Sequence, residues 1–273
     1  MSGRADRARV GAAPPALEAA LADLARATDL EEAARCLIGI GAEVGLPSPA
    51  VIDDYSTNRV LTVDDGRAIA SVLGWEEDFQ RAWLDQRLYL ISPIAAVCRV
   101  STRPFVWDAA AVAQAVLDAR HRPQVMWNLT PENGIYGGVT VPIHLPHART
   151  GSVGWLARDP EVDIQGVLAR YGGTLRLAAH LMMDLVYARR AENADDPEPA
   201  SSLNEREIEC LSWSGLGRTD VEIGAIIHRS PATARFHIDS AIGKLGARNR
   251  TQAVAIAAQL GLIHPFDDRR SRD

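Results

Sequence analysis

The chain of 273 residues has a single lysine, only three cysteines and few aromatic residues, and it lacks any long apolar run. Cys36, Cys98 and Cys210 are far apart and lack the spacing of metal ligands. We therefore expect free thiols in a reducing compartment, with no metal site and no cofactor. No stretch reaches the ~18 apolar residues of a membrane-spanning helix, and the N-terminus lacks the apolar core of a signal peptide. These absences favour a cytoplasmic protein without membrane attachment.

A general excess of positive charge is also missing. The formal net charge is −6 and the sequence pI is about 5.7, so the protein as a whole does not attract nucleic acid. Any nucleic-acid site must be a local basic surface. At this length the chain can form two domains with separate cores.

Residues 203–263 have the pattern of four short amphipathic helices. Thr219, followed by Glu222 three residues later, predicts a capping box at the start of the second helix. Ser230 and Pro231 predict the start of the third helix, because proline is well tolerated at the first helical position. Gly246 is expected to end it. The predicted inward residues are Val221, Ile223, Ile226 and Ile227 in the second helix, and Ala234, Ile238, Ala241, Ile242 and Leu245 in the third.

The third helix and the turn after it are basic for so acidic a chain. The capped N-terminus of this helix offers free N–H groups and the positive end of a helix dipole to a phosphate. Such a helix is typical of the recognition helix in a helix-turn-helix domain, although charge alone also fits an ordinary helical domain with a solvated basic face. The cations are Arg235, His237, Lys244, Arg248 and Arg250, against the single acid Asp239.

The same segment resembles the C-terminal domain of LuxR-type transcription regulators over its whole length and without gaps. The resemblance implies that Arg235 and Phe236 read bases, and that Thr233, His237 and Lys244 contact or brace the DNA backbone. Arg248 and Arg250 complete the predicted DNA-binding set. An acid at position 239 departs from relatives that carry a base-reading cation there. The matching motifs are REIECL (206–211), TDVEIG (219–224), SPATARFH (230–237), KLGARNRTQAV (244–254) and LGLI (260–263).

The N-terminal part has the pattern of an α+β fold. Helical periodicity covers residues 17–28, 30–44, 75–88, 109–119 and 163–189, a segment that starts with proline covers 93–100, and strands are predicted at 50–52, 60–63, 137–143 and 152–158. We expect an N-terminal α/β/α sandwich around an antiparallel sheet, linked to a C-terminal four-helix helix-turn-helix domain. The predicted limits are a disordered leader (1–14), the N-terminal domain (15–189), a linker (190–202), the DNA-binding domain (203–266) and a tail (267–273).

A phosphoacceptor receiver is one candidate for the N-terminal domain. Asp53 and Asp54 follow a predicted strand, as the acidic pair of a receiver does. A receiver also needs a lysine at its phosphorylation site, and Lys244, the only lysine, lies in the DNA-binding part. The sequence therefore disfavours a receiver.

A sensor domain of the autoinducer-binding class is the other candidate. Trp75, Phe79 and Trp83 recur every four residues and place three rings on one helix face, which suits an apolar ligand pocket but also plain core packing. The N-terminal half resembles the autoinducer-binding family at Pro93, PFVWD (104–108), GGVTVPI (137–143) and GSVGWLA (151–157). The predicted ligand-binding residues are Trp75, Phe79, Trp83, Tyr89, Ser92, Trp107, Tyr136, Gly138 and Thr140.

The sequence departs from acyl-homoserine-lactone receptors where those receptors bind the lactone head and the amide. In place of their tyrosine, tryptophan, aspartate and hydroxyl residue it has Trp75, Phe79, Ser92 and Ala157. Phe79 cannot donate to a lactone carbonyl, and Ser92 offers a neutral acceptor instead of a carboxylate. Each unmatched group forfeits on the order of 1–3 kcal/mol, so we expect an atypical acyl- or aroyl-lactone or another largely apolar molecule, with aromatic compounds included. Candidate replacement polar groups are Tyr89, Tyr136 and Thr140.

These features predict a ligand-responsive transcription regulator of the quorum-sensing LuxR type, a homodimer bound to a double-stranded DNA operator. The alternative is a ligand-independent dimeric regulator whose N-terminal domain serves only dimerisation. No nucleophile elbow, glycine-rich phosphate loop or Cys–His constellation supports an enzyme.

Overall fold

The computed structural model describes residues 14–57, 59–78, 80–81, 92–109, 134–145, 149–192 and 203–263. The chain divides into two compact units, with the main division between Arg189 and Arg190. No helix in these ranges is both long enough and apolar enough to span a bilayer. The domain limits at 14, 202 and 266 fall at or next to residues outside the described ranges, and they stay predictions.

The N-terminal unit combines helices with one antiparallel sheet, which confirms the expected α+β class. The helices are α1 (Pro15–Arg26), α2 (Leu30–Glu43), α3 (Ile69–Val72), α4 (Pro93–Val100) and α5 (Ile164–Glu192). The strands are β1 (Ser48–Ile52), β2 (Phe105–Asp108), β3 (Gly137–Leu145) and β4 (Arg149–Ala157).

The sheet has the order β1-β4-β3-β2. The two central strands are buried over most of their length, as expected for strands covered on both faces, and they read as nearly continuous apolar runs. β1 pairs with β4 so that Ala50 lies opposite Gly154, and β2 pairs with β3 so that Trp107 lies opposite Gly138. This register places residues distant in the sequence side by side.

Helix α2 packs its apolar face against this sheet. Asp29 caps it by accepting a hydrogen bond from the backbone N–H of Glu32, and Leu37 and Ile40 are fully buried. The indole N–H of Trp155 on β4 donates to the backbone carbonyl of Leu37 over 3.1 Å. A buried strand and a buried helix are thereby joined without an unpaired polar group.

The helices predicted at 17–28, 30–44 and 163–189 are confirmed within a few residues, and the segment that starts with Pro93 is helix α4. The strand predicted at 60–63 is wrong, because this segment makes only an isolated bridge between Thr62 and Ala68 and does not join the sheet. β2 was not predicted. The helices predicted at 75–88 and 109–119 lie mostly outside the described residues, and Trp75 itself precedes the helical turn that starts at position 77.

The C-terminal unit contains α6 (Glu205–Gly215), α7 (Asp220–Ile226), α8 (Pro231–Lys244) and α9 (Arg250–Gln259). Both predicted starts are confirmed: Thr219 and Glu222 form a reciprocal capping box, and the Ser230 hydroxyl accepts from the backbone N–H of Thr233. One apolar cluster centres on Leu211, Ala241, Leu245, Ala253, Ala257 and Ile263, and a second on Cys210, Ile223, Ile227, Ala234 and Ile238.

Two of the predicted inward residues of α7 are exposed instead. The exposed fraction is 66% for Val221 and 38% for Ile226, whereas Ile223 and Ile227 are buried. Residues four apart share a helix face, but residues two apart lie on nearly opposite sides. A helix of seven residues that packs along one face can therefore bury 223 and 227 but not 221.

Candidate ligand cavity and nucleic-acid interface

A cavity of about 150 Å³ lies in the N-terminal unit. All four strands contribute to its wall, together with α3, α4 and the segment that follows β1. The apolar part of the wall includes Ala50, Ile52, Leu61, Ile69, Leu73, Ile94 and Leu156. Such a concave apolar site with a few polar groups is the usual form of a small-molecule site.

Two tryptophans form aromatic walls of this cavity. Trp75 and Trp107 both line it and are both buried. The Trp75 indole N–H donates to the carbonyl of Pro49 over 2.7 Å, and the Trp107 indole N–H donates to the Thr140 hydroxyl over 3.0 Å. The guanidinium of Arg158 lies 5.3 Å from the centre of the Trp75 ring. The rings are thus held in place, and both N–H groups already have acceptors within the protein.

Gly138 makes room for the Trp107 ring. A Cβ atom at this position would lie 2.6 Å from the carbonyl oxygen of Trp155 and 3.3 Å from the Trp107 ring. The first distance is too short for any side chain, so only glycine allows the two strands and the ring to pack this closely. Gly138 therefore does not line the cavity itself but allows the Trp107 ring to take its place in the wall.

Tyr55 and Ser152 form a buried pair of hydroxyl groups at the cavity. Their hydroxyl oxygens are 2.7 Å apart, and both side chains line the cavity. Burial raises the pKa of the Tyr55 phenol, and the neighbouring Cys98 thiol adds to the shift. Burial also raises the pKa of Cys98, to about 11. The phenol and the thiol therefore stay protonated and neutral at physiological pH.

Further polar groups lie on the segment after β1. The hydroxyl oxygen of Thr57 is buried, lines the cavity and has no hydrogen-bond partner within the described part of the chain. Asp53 and Asp54 also line the cavity and are buried, and one Asp54 carboxylate oxygen accepts from both the backbone N–H and the hydroxyl of Ser56.

The structure brings some of the predicted ligand-binding residues together at this cavity. Trp75, Trp107 and Thr140 line it. Ser92 is buried with no partner for its hydroxyl among the described residues, but neither it nor Tyr136 is part of the cavity wall. Phe79, Trp83 and Tyr89 lie outside the described residues. Sequence reasoning missed Tyr55, Thr57 and Ser152. The only local hint for Tyr55 and Thr57 was a polar run after a short strand, and Ser152 lies within a predicted strand.

Helix α8 exposes the face that the sequence predicts to contact DNA. Phe236 is 68% exposed, and the Arg235 side chain is 72% exposed and 3.9 Å from the Asp239 carboxylate. The His237 ring is half-buried and meets the Phe236 ring edge-on, with 5.7 Å between their centres. A single exposed apolar side chain is ordinary on a protein surface, so the position of Phe236 on α8, rather than its exposure, favours a contact with DNA.

Lys244 has a partner inside the unit. Its Nζ lies 2.9 Å from an Oε atom of Glu207, a carboxylate that is almost fully buried. Glu207 also accepts from the Ser240 hydroxyl over 2.8 Å and from the backbone N–H of Asn204 over 2.8 Å. Burial acts to raise the pKa of Glu207, but these hydrogen bonds, led by that of Lys244, lower it below its usual value. Through these hydrogen bonds the Glu207 carboxylate joins α8 to the start of α6.

Arg250 is held by three different elements. Its guanidinium donates to the Ser214 hydroxyl, to the Asp220 carboxylate over 2.6 Å and to the carbonyl of Arg218 over 2.7 Å. These contacts favour a structural role for Arg250 over the DNA contact that the sequence predicts. Arg248, by contrast, is exposed and makes no salt bridge within the described residues.

Comparison with known proteins agrees with this architecture. The family described as autoinducer binding domain matches residues 19–185, and the family described as bacterial regulatory proteins, luxR family, matches residues 201–257. The transcriptional activator protein BjaR1 of Bradyrhizobium diazoefficiens is 34% identical over 176 residues, which cover 63% of this chain and 67% of the relative. The HTH-type quorum sensing-dependent transcriptional regulator RpaR of Rhodopseudomonas palustris is 29% identical over 191 residues, covering 70% and 73%.

Solved structures show the same fold. Escherichia coli SdiA aligns with a TM-score of 0.56 at 19% identity, covering 90% of this chain and 97% of that chain. SdiA in complex with octanoyl-rac-glycerol aligns with a TM-score of 0.61 at 18% identity, covering 91% and 96%.

The chain belongs to the LuxR-type quorum-sensing transcription regulators, in which an autoinducer-binding domain is followed by a DNA-binding helix-turn-helix domain. Regulators of this type bind DNA and small-molecule signals. The resemblance seen in the sequence is thereby confirmed for both halves of the chain.

Proposed function

We propose that this regulator is a cytoplasmic homodimer without catalytic activity, whose affinity for a two-fold DNA operator depends on a small molecule bound in the aromatic cavity. The observation that carries the proposal is the cavity walled by Trp75 and Trp107 within the autoinducer-binding unit. A protein of the same fold holds octanoyl-rac-glycerol, so the fold admits a ligand with an apolar chain. Trp75, Trp107 and Thr140 are the described residues that we assign to ligand binding, and Phe79, Trp83, Tyr89, Ser92, Tyr136 and Gly138 stay predictions.

On the DNA side, we assign base contacts to Arg235 and Phe236, two exposed side chains on the first turns of α8. Thr233, His237, Lys244 and Arg248 would contact or brace the phosphate backbone. The ion pair of Lys244 with Glu207 supports the bracing role for this residue. The twofold symmetry of a dimer would match two half-sites of the operator.

Arg235→Ala tests this DNA-binding face. The operator is first selected from random DNA with the wild-type protein, and specific and nonspecific affinities are then measured at two salt concentrations. Because a bidentate contact to a base is worth ~1–3 kcal/mol, we expect specific affinity to fall roughly 5- to 150-fold while nonspecific affinity changes much less. The matched control is Arg206→Ala, which removes an exposed arginine from α6. Equal operator affinity for Arg235→Ala and the wild type would show that α8 does not read bases through this residue.

Native mass spectrometry of the protein from cells that naturally make it tests ligand binding. We expect a small molecule that stays with the folded protein and is lost on unfolding. The control is Ala70→Leu, which adds apolar volume to a half-buried residue of the cavity wall and should reduce the retained molecule. If the wild type retains nothing and binds nothing from cell extract, the N-terminal unit serves dimerisation alone.

A further inference from the structure

Three hydroxyl groups line the cavity together, and we call them the hydroxyl edge: Tyr55, Thr57 and Ser152. Tyr55 and Thr57 belong to the segment after β1, and Ser152 belongs to β4, which pairs with β1. The backbone N–H of Tyr55 donates to the carbonyl of Thr150 over 2.8 Å, which continues that pairing beyond the end of β1. The edge is therefore positioned by strand pairing.

The hydroxyl edge has hydrogen-bonding capacity that the protein does not use. The Tyr55 and Ser152 hydroxyls bond to each other, and the Cys98 thiol is a further hydrogen-bond partner of both, so what these two oxygens still offer is their acceptor lone pairs. The Thr57 oxygen is buried and has no partner among the residues that the structure describes. A buried polar atom without a partner destabilises the fold unless something else supplies the bond. At a cavity wall, a bound molecule can supply it.

The indole N–H groups do not offer the same capacity. Those of Trp75 and Trp107 donate to Pro49 and Thr140, and an indole has only one hydrogen to donate. The rings themselves remain available as apolar surface, where an aromatic ligand gains more than its buried area alone would give. The tryptophans therefore suit the flat part of a ligand, and the hydroxyl edge suits its polar end.

We propose that the hydroxyl edge binds the polar end of the signal molecule, and that this molecule is compact and not anionic, with a hydroxyl or carbonyl group on an aromatic ring. This inference rests on the proposed function of the cavity as the ligand site. The volume of about 150 Å³ fits a single substituted ring. Among the described residues of the wall, the two carboxyl groups of Asp53 and Asp54 outnumber the one guanidinium, that of Arg59, and this balance disfavours an anion.

The test uses the full-length protein with three small probes: phenol, fluorobenzene and benzoate. Binding of fluorobenzene is followed by ¹⁹F NMR, and phenol and benzoate are measured by displacement of it. Phenol and fluorobenzene are similar in size, but only phenol has a hydroxyl. We expect Tyr55→Phe to reduce the preference for phenol over fluorobenzene by roughly 2- to 12-fold, the range for one neutral hydrogen bond.

Tyr171→Phe is the matched control, because it makes the same change on α5 at a residue that does not line the cavity. Retained fluorobenzene binding shows that each variant is folded. Thr57→Val, a change of similar volume, is a second variant and should also reduce the preference for phenol. If both variants keep the wild-type preference, the hydroxyl edge does not bind the ligand.

The outcomes of this experiment, together with native mass spectrometry, distinguish a failure of the hydroxyl edge from a failure of the cavity as the ligand site. Tight binding of benzoate, equal to that of phenol, would overturn the exclusion of an anion. Binding of both neutral probes with no effect of either variant would overturn the hydroxyl edge alone. Binding of no probe by the wild type would overturn the compact aromatic ligand and the hydroxyl edge, whereas the ligand site of the proposed function is judged separately by the molecule retained in native mass spectrometry.

Discussion

Replacing Lys244 by methionine removes the cation that faces the buried carboxylate of Glu207 and leaves a side chain of similar length. In the wild type the two charged groups are 2.9 Å apart. The change leaves Glu207 with two neutral donors, the Ser240 hydroxyl and the backbone N–H of Asn204. We expect the C-terminal unit to lose stability without changing its fold.

The magnitude follows from the burial of the two partners. Breaking a fully buried ion pair typically costs about 3–5 kcal/mol. The Lys244 side chain is 36% exposed, so water already solvates part of the cation and the loss must be discounted. With two donors remaining on the carboxylate, we expect a loss of about 1–2 kcal/mol.

Hydrogen exchange of the full-length protein, read by mass spectrometry, measures this loss where it occurs. Backbone amides of α6 and α8 should exchange roughly 5- to 30-fold faster in Lys244→Met. The control is Arg206→Met, which removes the more exposed pair between Arg206 and Glu209 on α6 and should change exchange by about twofold at most.

A double-mutant cycle completes the measurement. Because Glu207→Gln and Lys244→Met remove the same interaction, the double variant should lose less stability than the sum of the two single changes. Simple additivity within about 0.3–0.5 kcal/mol would refute the coupling that the geometry implies. So would equal exchange rates in Lys244→Met and the surface control.

Three further changes test other parts of the structure. Because the pKa of Glu207 is lowered in the folded state, its contribution to stability is present above about pH 4.3 and is lost as the pH falls through the folded-state pKa. Glu207→Gln should therefore reduce the fall of the thermal unfolding temperature at acid pH. An unchanged pH dependence of that temperature would contradict the pKa shift. Gly138→Ala should destabilise the N-terminal unit by about 1–3 kcal/mol and weaken the binding of fluorobenzene. The control Gly173→Ala, at a helical position with open space around it, should leave stability unchanged or raise it. Similar effects of the two changes would disprove the close packing at position 138. Arg250→Ala should lower the stability of the C-terminal unit by about 1–3 kcal/mol. Arg248→Ala should leave stability unchanged and reduce the salt dependence of DNA binding by about one phosphate contact. The reverse pattern would return Arg250 to the set of DNA-binding residues.

The helix starts of the C-terminal unit could be predicted from the sequence because their chemistry is local. A cap needs only a side chain and an N–H group three residues away, as at Thr219 and Ser230. The exposure of Val221 could not be predicted in the same way. An apolar residue is compatible with either side of a short helix until the packed face is known.

The hydroxyl edge could not be found by any local rule. Tyr55 and Ser152 are 97 positions apart, and they meet only because β1 pairs with β4 in a particular register. A shift of one residue would turn either side chain to the other face of the sheet. The resemblance of the sequence to its family pointed to Trp75 and Trp107, which line the cavity, but a family pattern cannot indicate groups that depart from it.

The aromatic cavity also bears on how much folded regulator a cell contains. The apolar walls of the cavity lack packing partners on one side, so they contribute less dispersion energy to the folded state than a filled core would. A molecule that fills it restores part of this energy, and each tenfold rise in its concentration above Kd adds about 1.4 kcal/mol to the folded state. Domains have only about 5–15 kcal/mol in total, so the small molecule would protect the chain from proteases. Abundance of the regulator would then rise with its ligand even before an operator is occupied.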